Sequence, residues 1–367
     1  MPATLQNKLE NVLAETLVPW TGEPVGSSGL ASIIAEGLPE GGAPQLTLTL
    51  GYPAEKSAER LIALLKERIL EATGNKDVVV EVKADIKSHA VQGTLSPVTG
   101  VRNIIVVSSA KGGVGKSTVA VNLALALKHE GAKVGVLDAD IYGPSQPIML
   151  GVAGEQPMSR DGKTFEPIKA HGMQMISIGC LIDDEQPMVW RGPMVTQALN
   201  QLLFQTNWDD LDYLIVDMPP GTGDIQLTLG QKVPVSGAVI VTTPQDIALA
   251  DALRGLRMFE KVNIPVLGLV ENMSSFMCPG CGEVTTLFGD GGGVKTAQEN
   301  NLALLAELPL DIRIRQETDG GIPTVMAEPD SPLGIIFRDM ALYTVAKLAE
   351  RPCDYKRAFS GIKVEVQ

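Results

Sequence analysis

Cysteine is scarce: 367 residues hold four, at 180, 278, 281 and 353. That is too few to staple a chain of this length as a disulfide scaffold. Positive charge is also short, with 30 Lys and Arg against 43 Asp and Glu, a net −13. Such a balance opposes a broad nucleic-acid surface or a basic membrane anchor, while leaving room for a small basic site. No apolar stretch approaches the ~20 residues that span a bilayer; runs such as 104–107 and 238–241 are short. Residues 1–10 are polar and lack the basic start, apolar run and cleavage site of a secretory signal. Internal repeats and low-complexity tracts are missing too. A reduced, cytoplasmic protein is expected, whose cysteines are ligands or reactive thiols and not bridges.

What is present is enough chain for two or more domains at roughly 150 residues each. The 38 glycines and 24 prolines cluster, as at 112–115, 219–223 and 289–293, and mark special turns. Residues 1–96 predict a helix over 5–17, strands over 30–35 and 45–51, an amphipathic helix over 57–72 and a strand over 78–82. In that helix Leu61, Leu64, Leu65, Ile69 and Leu70 share a side. The α-β-β-α-β order predicts a small α+β domain, with 88–100 as linker to a second domain over 97–367. There, strands are predicted over 103–108, 133–138, 173–178, 213–217, 238–242 and 266–271, and helices over 116–129, 194–205, 247–261 and 333–349. Continuous apolar strands are those buried on both faces, so the expected fold is α/β, a mostly parallel sheet flanked by helices. Ligands in such sheets sit outside the carboxyl ends of the strands.

One such end reads Ala110-Lys111-Gly112-Gly113-Val114-Gly115-Lys116-Ser117-Thr118 and opens directly into a helix. Small residues let successive backbone N–H groups close around a phosphate, and the helix N-terminus adds its positive end. Lys116 would reach the β and γ phosphates and Ser117 would offer its hydroxyl to Mg²⁺. Ala110 stands where the strict Walker A pattern has glycine. Asp217 ends another strand in the Walker B manner and would hold Mg²⁺, directly or through water. Asp138 and Asp140 end a third, and Asp140 is the candidate to orient the attacking water and accept its proton. The segment 218–224, Met-Pro-Pro-Gly-Thr-Gly-Asp, suits a γ-phosphate sensor.

A second feature is Met277-Cys278-Pro279-Gly280-Cys281-Gly282. Two thiolates three apart form a tight knuckle whose sulfurs converge on one metal. Taken alone, the pair admits a redox dithiol, half a zinc site or no role, although no thioredoxin-like order surrounds it. Zinc or a [4Fe–4S] cluster takes four protein ligands and this loop supplies two. Cys180 reads as a buried small hydrophobe and Cys353 as an isolated thiol in a charged tail. His89, His129 and His171 are scattered and read as structural or surface residues. A symmetric dimer would supply the missing pair.

The loop Lys111–Ser117 resembles the deviant Walker A of MinD/ParA-type ATPases, marked by its second lysine. The resemblance implies that two chains sandwich two ATP molecules, that Lys111 reaches the partner's nucleotide, and that Asn272 hydrogen-bonds the adenine. Together with the cysteine pair, the runs Asp138-Ala139-Asp140-Ile141-Tyr142-Gly143-Pro144-Ser145, Trp190-Arg191-Gly192-Pro193-Met194, Pro219–Asp224 and Glu271-Asn272-Met273-Ser274 resemble the Mrp/ApbC family of P-loop ATPases across about residues 98–350. That family implies a homodimer with slow, dimer-dependent ATP hydrolysis. It would bind a [4Fe–4S] cluster bridging two chains through Cys278 and Cys281, take it from a donor and pass it to apo-proteins. Gly112, Gly113, Val114, Gly115, Lys116, Ser117 and Thr118 would hold the nucleotide. The first domain matches the small iron–sulfur assembly domain of bacterial members in topology. With no cysteine before 180, it is expected to dock a partner and not to hold cluster. Two rivals remain: a MinD/ParA-type positioning ATPase, opposed by the acidic charge and by a tail over 351–367 without a basic amphipathic helix, and a dimer locked by zinc at four thiolates.

Overall fold

The computed structural model describes residues 5–36, 45–93, 95–141, 143–181 and 192–354. Tyr142, Trp190, Arg191 and most of the 351–367 tail, which figured above, lie outside these residues.

The chain divides into two compact units. The first comprises residues 1–90 with 129–131 and 342–367, and the second 91–128 with 132–341. The end of the C-terminal helix, from residue 342, groups with the first unit. That first unit runs α1 (Leu5–Glu15), β1 (Leu30–Glu36), β2 (Gln45–Leu50), α2 (Ala58–Thr73) and β3 (Val79–Ala84). Strand β2 pairs antiparallel with β1 and parallel with β3. Leu46, Leu48 and Leu50 alternate into the core from β2, as a period of two requires. On α2 the buried stripe is Leu61, Leu65 and Ile69, spaced by four; Leu64 is half-buried and Leu70 exposed, so the apolar face is narrower than predicted. Gly74 ends α2 at φ 72°, with its N–H donating to the Leu70 carbonyl at 2.8 Å.

The second unit begins with β4 (Val101–Ser108), α3 (Lys116–His129), β5 (Val134–Asp138), α4 (Gln146–Met149), β6 (Ile168–Ala170) and β7 (Met173–Ser177). It continues through α5 (Gly192–Phe204), β8 (Leu211–Asp217), α6 (Asp224–Lys232), β9 (Gly237–Thr242), α7 (Asp246–Lys261), β10 (Val266–Met277) and β11 (Val284–Thr285). Then come α8 (Gly292–Glu299), β12 (Leu304–Leu310), α9 (Ile312–Asp319), α10 (Thr324–Ala327) and the first part of α11 (Pro332–Ala349), whose residues from 342 belong to the first unit. The nine strands form one sheet in the order β11-β10-β9-β4-β8-β5-β7-β6, with β12 also on β10. Only β6 and β11 pair antiparallel. Strands β5, β8 and β9 are buried along their whole length. On one face Ile104, Val106, Leu214, Val216 and Ile240 pack with Leu199 and Leu202 of α5 and Leu256 and Phe259 of α7. Ile105 and Val107 point to the opposite face and are equally buried.

Three strands escape the sequence reading. Strands β6 and β11 are too short to show a period, and β12 carries Glu307 and Pro309 within its apolar run. Strand β10 also runs six residues past Glu271, through the polar Asn272–Ser275 stretch, and delivers the chain to Cys278. No described helix is long and apolar enough to cross a membrane.

Candidate functional site

Strand β4 lies between β9 and β8, so its carboxyl end opens at the middle of the sheet. The loop 109–115 leaves there and enters α3. Gly113 and Gly115 adopt φ 82° and 83°, in the left-handed region that glycine tolerates and other residues resist. At Gly115 a Cβ would also lie 2.2 Å from the Asn272 amide nitrogen. Lys111, Gly112 and Gly113 are exposed, whereas Lys116 is buried.

Register brings the acids together. Strand β8 pairs with β5 so that Asp217 lies opposite Asp138, and with β4 so that it lies opposite Val107. The Lys116 ammonium ion-pairs with Asp217, approaches Asp140 Oδ2 at 3.6 Å and donates to Ser117 Oγ at 3.2 Å. Four predicted site residues thus meet at one point. Their hydroxyl and carboxylate oxygens are the hard donors that magnesium takes, a few from protein and the rest from phosphate and water. A cation, the lysine's own, already sits among them, so the donor set fits.

Asp138 does different work from Asp140. Its Oδ1 accepts from Asp140 N at 3.1 Å, and Oδ2 accepts from Ser145 N (3.0 Å), Gln146 N (3.1 Å) and Ser177 Oγ (3.1 Å). The carboxyl therefore ties the 138–146 loop to β7. Burial, and then the neighbouring Asp217, push its pKa up to about 7, against backbone N–H donors and the Lys116 charge. An amide here would turn an NH₂ toward donors it cannot accept from. Asp138→Asn is expected to cost about 3 kcal/mol of stability, measured by urea unfolding followed by circular dichroism, because buried N–H groups lose their acceptor.

Gln146, which carries no motif signal, also enters the acid cluster. Fully buried at the start of α4, its Nε2 donates to Asp217 Oδ2 at 2.9 Å and to the Ser117 carbonyl at 3.1 Å. Asn272, from β10, donates to the Val114 carbonyl in the phosphate loop at 2.9 Å and accepts from Met273 N at 3.0 Å. Met273 itself takes φ 59°, a local strain for a long side chain.

The cysteine pair stands at the far end of that strand. Cys278 N donates to Glu283 O at 2.9 Å and Gly282 N to Cys278 O at 2.8 Å, closing a tight turn with Gly282 at φ 77°. The Gly280 and Cys281 N–H groups and the Cys281 thiol all point at the Cys278 sulfur and hold its pKa below the ordinary thiol value. The two sulfurs are thus neighbours, on a half-buried and an exposed residue. Among the described residues, no group of three or more His, Cys, Asp or Glu side chains is placed to hold a metal. Cys180 lies in a short 3₁₀ turn after β7, its pKa raised by burial; Cys353 lies on a bridge to His89. Since the thiolate is the nucleophile, iodoacetamide at pH 7 is expected to label Cys278 well before Cys180, read by peptide mass spectrometry.

Known proteins share this architecture. A family described as the NUBPL iron-transfer P-loop NTPases matches residues 100–344. The iron–sulfur cluster carrier protein of Pseudomonas fragi is 56% identical over 280 residues, covering 76% of this chain and 98% of that one. Its counterpart from Escherichia coli K12 is 51% identical over 301 residues, 82% of each chain. Among solved structures, a nucleotide-binding protein of Archaeoglobus fulgidus in complex with ADP shares 38% identity at a TM-score of 0.54, over 60% of this chain and 87% of that one. The Pyrococcus furiosus cell division ATPase MinD shares the fold, with 24% identity and a TM-score of 0.53 over 67% and 99% of the two chains. Matched by that family over residues 100–344 and by carrier proteins about half identical to it, the chain belongs to the NUBPL iron-transfer P-loop NTPase family and is an ATPase.

Proposed function

We propose that this chain is a cytoplasmic iron–sulfur cluster carrier. It works as a homodimer, holds a [4Fe–4S] cluster as cargo between Cys278 and Cys281 of each copy, and passes it from a donor to apo-proteins. The observation that carries this reading is the pair of adjacent, partly exposed thiols on a tight turn, one of them acidified by backbone N–H groups. A cluster takes four thiolates, and a two-fold axis doubles two into four. The cluster carrier proteins to which the chain is similar support the same reading.

Each residue of the nucleotide site has a task in it. Backbone groups of Gly112, Gly113, Val114 and Gly115, with Thr118 at the start of α3, cradle the phosphates, and Lys116 neutralises them. Ser117 and Asp217 would hold Mg²⁺, which would supply charge stabilisation at the transferring phosphoryl group. Asp140 accepts the proton of the attacking water. Lys111, exposed on the loop, reaches the nucleotide of the second copy, and Asn272 leaves the Val114 carbonyl to bond the adenine. The N-terminal region 1–96, which holds no cysteine, docks a partner.

Anaerobic reconstitution with iron and sulfide tests the reading. The expected product is a dimer by sedimentation, with broad visible absorption and about four iron and four sulfide per dimer. It should restore activity to an apo-enzyme that needs such a cluster. A colourless dimer holding one zinc would instead establish the metal-locked alternative.

A further inference from the structure

Among the described residues, the fully buried Asp217 carboxylate has two side-chain partners, one on each oxygen: the Lys116 ammonium on Oδ1 and the Gln146 amide on Oδ2. Lys116 cannot stay. To reach the phosphates of a bound nucleotide it must leave the acids, and the Asp217 carboxylate is then a buried charge without its cation. Gln146 is the partner that can remain, because it is anchored independently of the lysine. Its backbone N–H is tied to Asp138, and its Nε2 bridges Asp217 and the Ser117 carbonyl. Both neighbours of that nitrogen are acceptors only, which sets the amide orientation: turned over, it would set oxygen against oxygen. Its Oε1 is buried with no partner among the described residues. An idle acceptor next to a magnesium site is where a water carried by the cation can donate.

We propose that Gln146 is the positioning residue of the magnesium site: it keeps Asp217 aimed at the cation position while Lys116 transfers to the phosphates. It links the two residues that would hold the ion, Ser117 through that residue's carbonyl and Asp217 through its carboxylate. The proposal rests on the P-loop reading of residues 110–118. It assigns Gln146 to the cation and not to the phosphates, since none of its bonds goes to the loop glycines.

The distinction can be measured with ADP and MgCl₂. In wild type, ADP affinity is determined by calorimetry in EDTA and again across a magnesium titration. Gln146→Met keeps the length and removes both donated bonds. Its affinity for ADP in EDTA should stay within about two-fold of wild type, while the gain conferred by magnesium falls about ten-fold, as expected for losing a hydrogen bond to a charged group. Half-saturation by magnesium in ATP hydrolysis should rise in parallel, with a smaller change in kcat. Gln146→Asn, whose amide is one methylene too short to span both acceptors, should shift the magnesium titration in the same direction and serves if the methionine variant does not fold. A magnesium response identical to wild type in the folded variant overturns the proposal. So does an equal loss of affinity with and without the ion, which would mark a purely structural role. If wild type itself binds ADP without any magnesium dependence, the P-loop reading fails first.

Discussion

Lys116→Met is expected to abolish ATP hydrolysis and, in the nucleotide-free protein, to cost about 3–5 kcal/mol of stability above neutral pH, the usual penalty for removing one partner of a buried ion pair. Lys116 stands among Asp217, Asp140 and Asp138, all buried. Without it three buried carboxylates are left near one another with no cation among them. The loss should depend on pH in a definite sense. The Asp138 carboxyl already titrates near 7 because burial and Asp217 raise it, and the Lys116 charge is one of the forces holding it down. Removing that charge raises the folded-state pKa further, while the unfolded value stays near 4. A raised acid stabilises the fold below its unfolded pKa and loses that contribution as pH climbs through the folded value. The gap between variant and wild type should therefore stay small from pH 4 to about 7, open as pH rises past about 7, and be full only above the variant's own higher folded value. Urea unfolding of both proteins across that range checks it. A gap that is constant with pH would mean that lost packing of the lysine stem, and not uncompensated charge, explains the defect.

The second large effect concerns cargo. Cys278→Ser or Cys281→Ser alone should abolish cluster retention, because in a two-fold assembly one substitution removes two of four thiolates. After reconstitution and desalting, iron and sulfide should drop by about an order of magnitude or more, and the visible absorption should vanish. Nucleotide binding should persist, since none of the phosphate-loop side-chain contacts involves either cysteine. Serine in place of Cys180 or Cys353 should leave cluster content unchanged. If the Cys278 variant still carries wild-type iron and sulfide and delivers them, the two-fold cluster site is wrong, whatever the oligomeric state.

Much of this molecule could be read from the chain because its signals are local. A phosphate loop is one contiguous stretch in which glycine tolerates the positive φ seen at Gly113 and Gly115. A C-x-x-C turn likewise sets its own geometry, and the Cys278 sulfur faces N–H groups two and three residues on. The strand-end acids were legible because buried parallel strands advertise themselves as apolar runs. Short or mixed strands do not, which is why β6, β11 and β12 carry no clear signal and β10 reads as ending at Glu271.

What only the tertiary structure decided is who meets whom. Whether Asp138 or Asp140 faces the lysine depends on the pairing of β5 with β8, which sets Asp138 opposite Asp217 and turns its carboxylate onto four donors of its own. Gln146 is 29 residues from Ser117 and 71 from Asp217; no periodicity or motif spans such separations. Asn272 reaches Val114 across 158 residues. Residue types at fixed spacing determine local backbone chemistry, so the loop, its lysine and the thiol pair belong to the sequence by itself. Long-range contacts are set by sheet order and register, so the buried acid cluster and the amide that orients it belong to the fold.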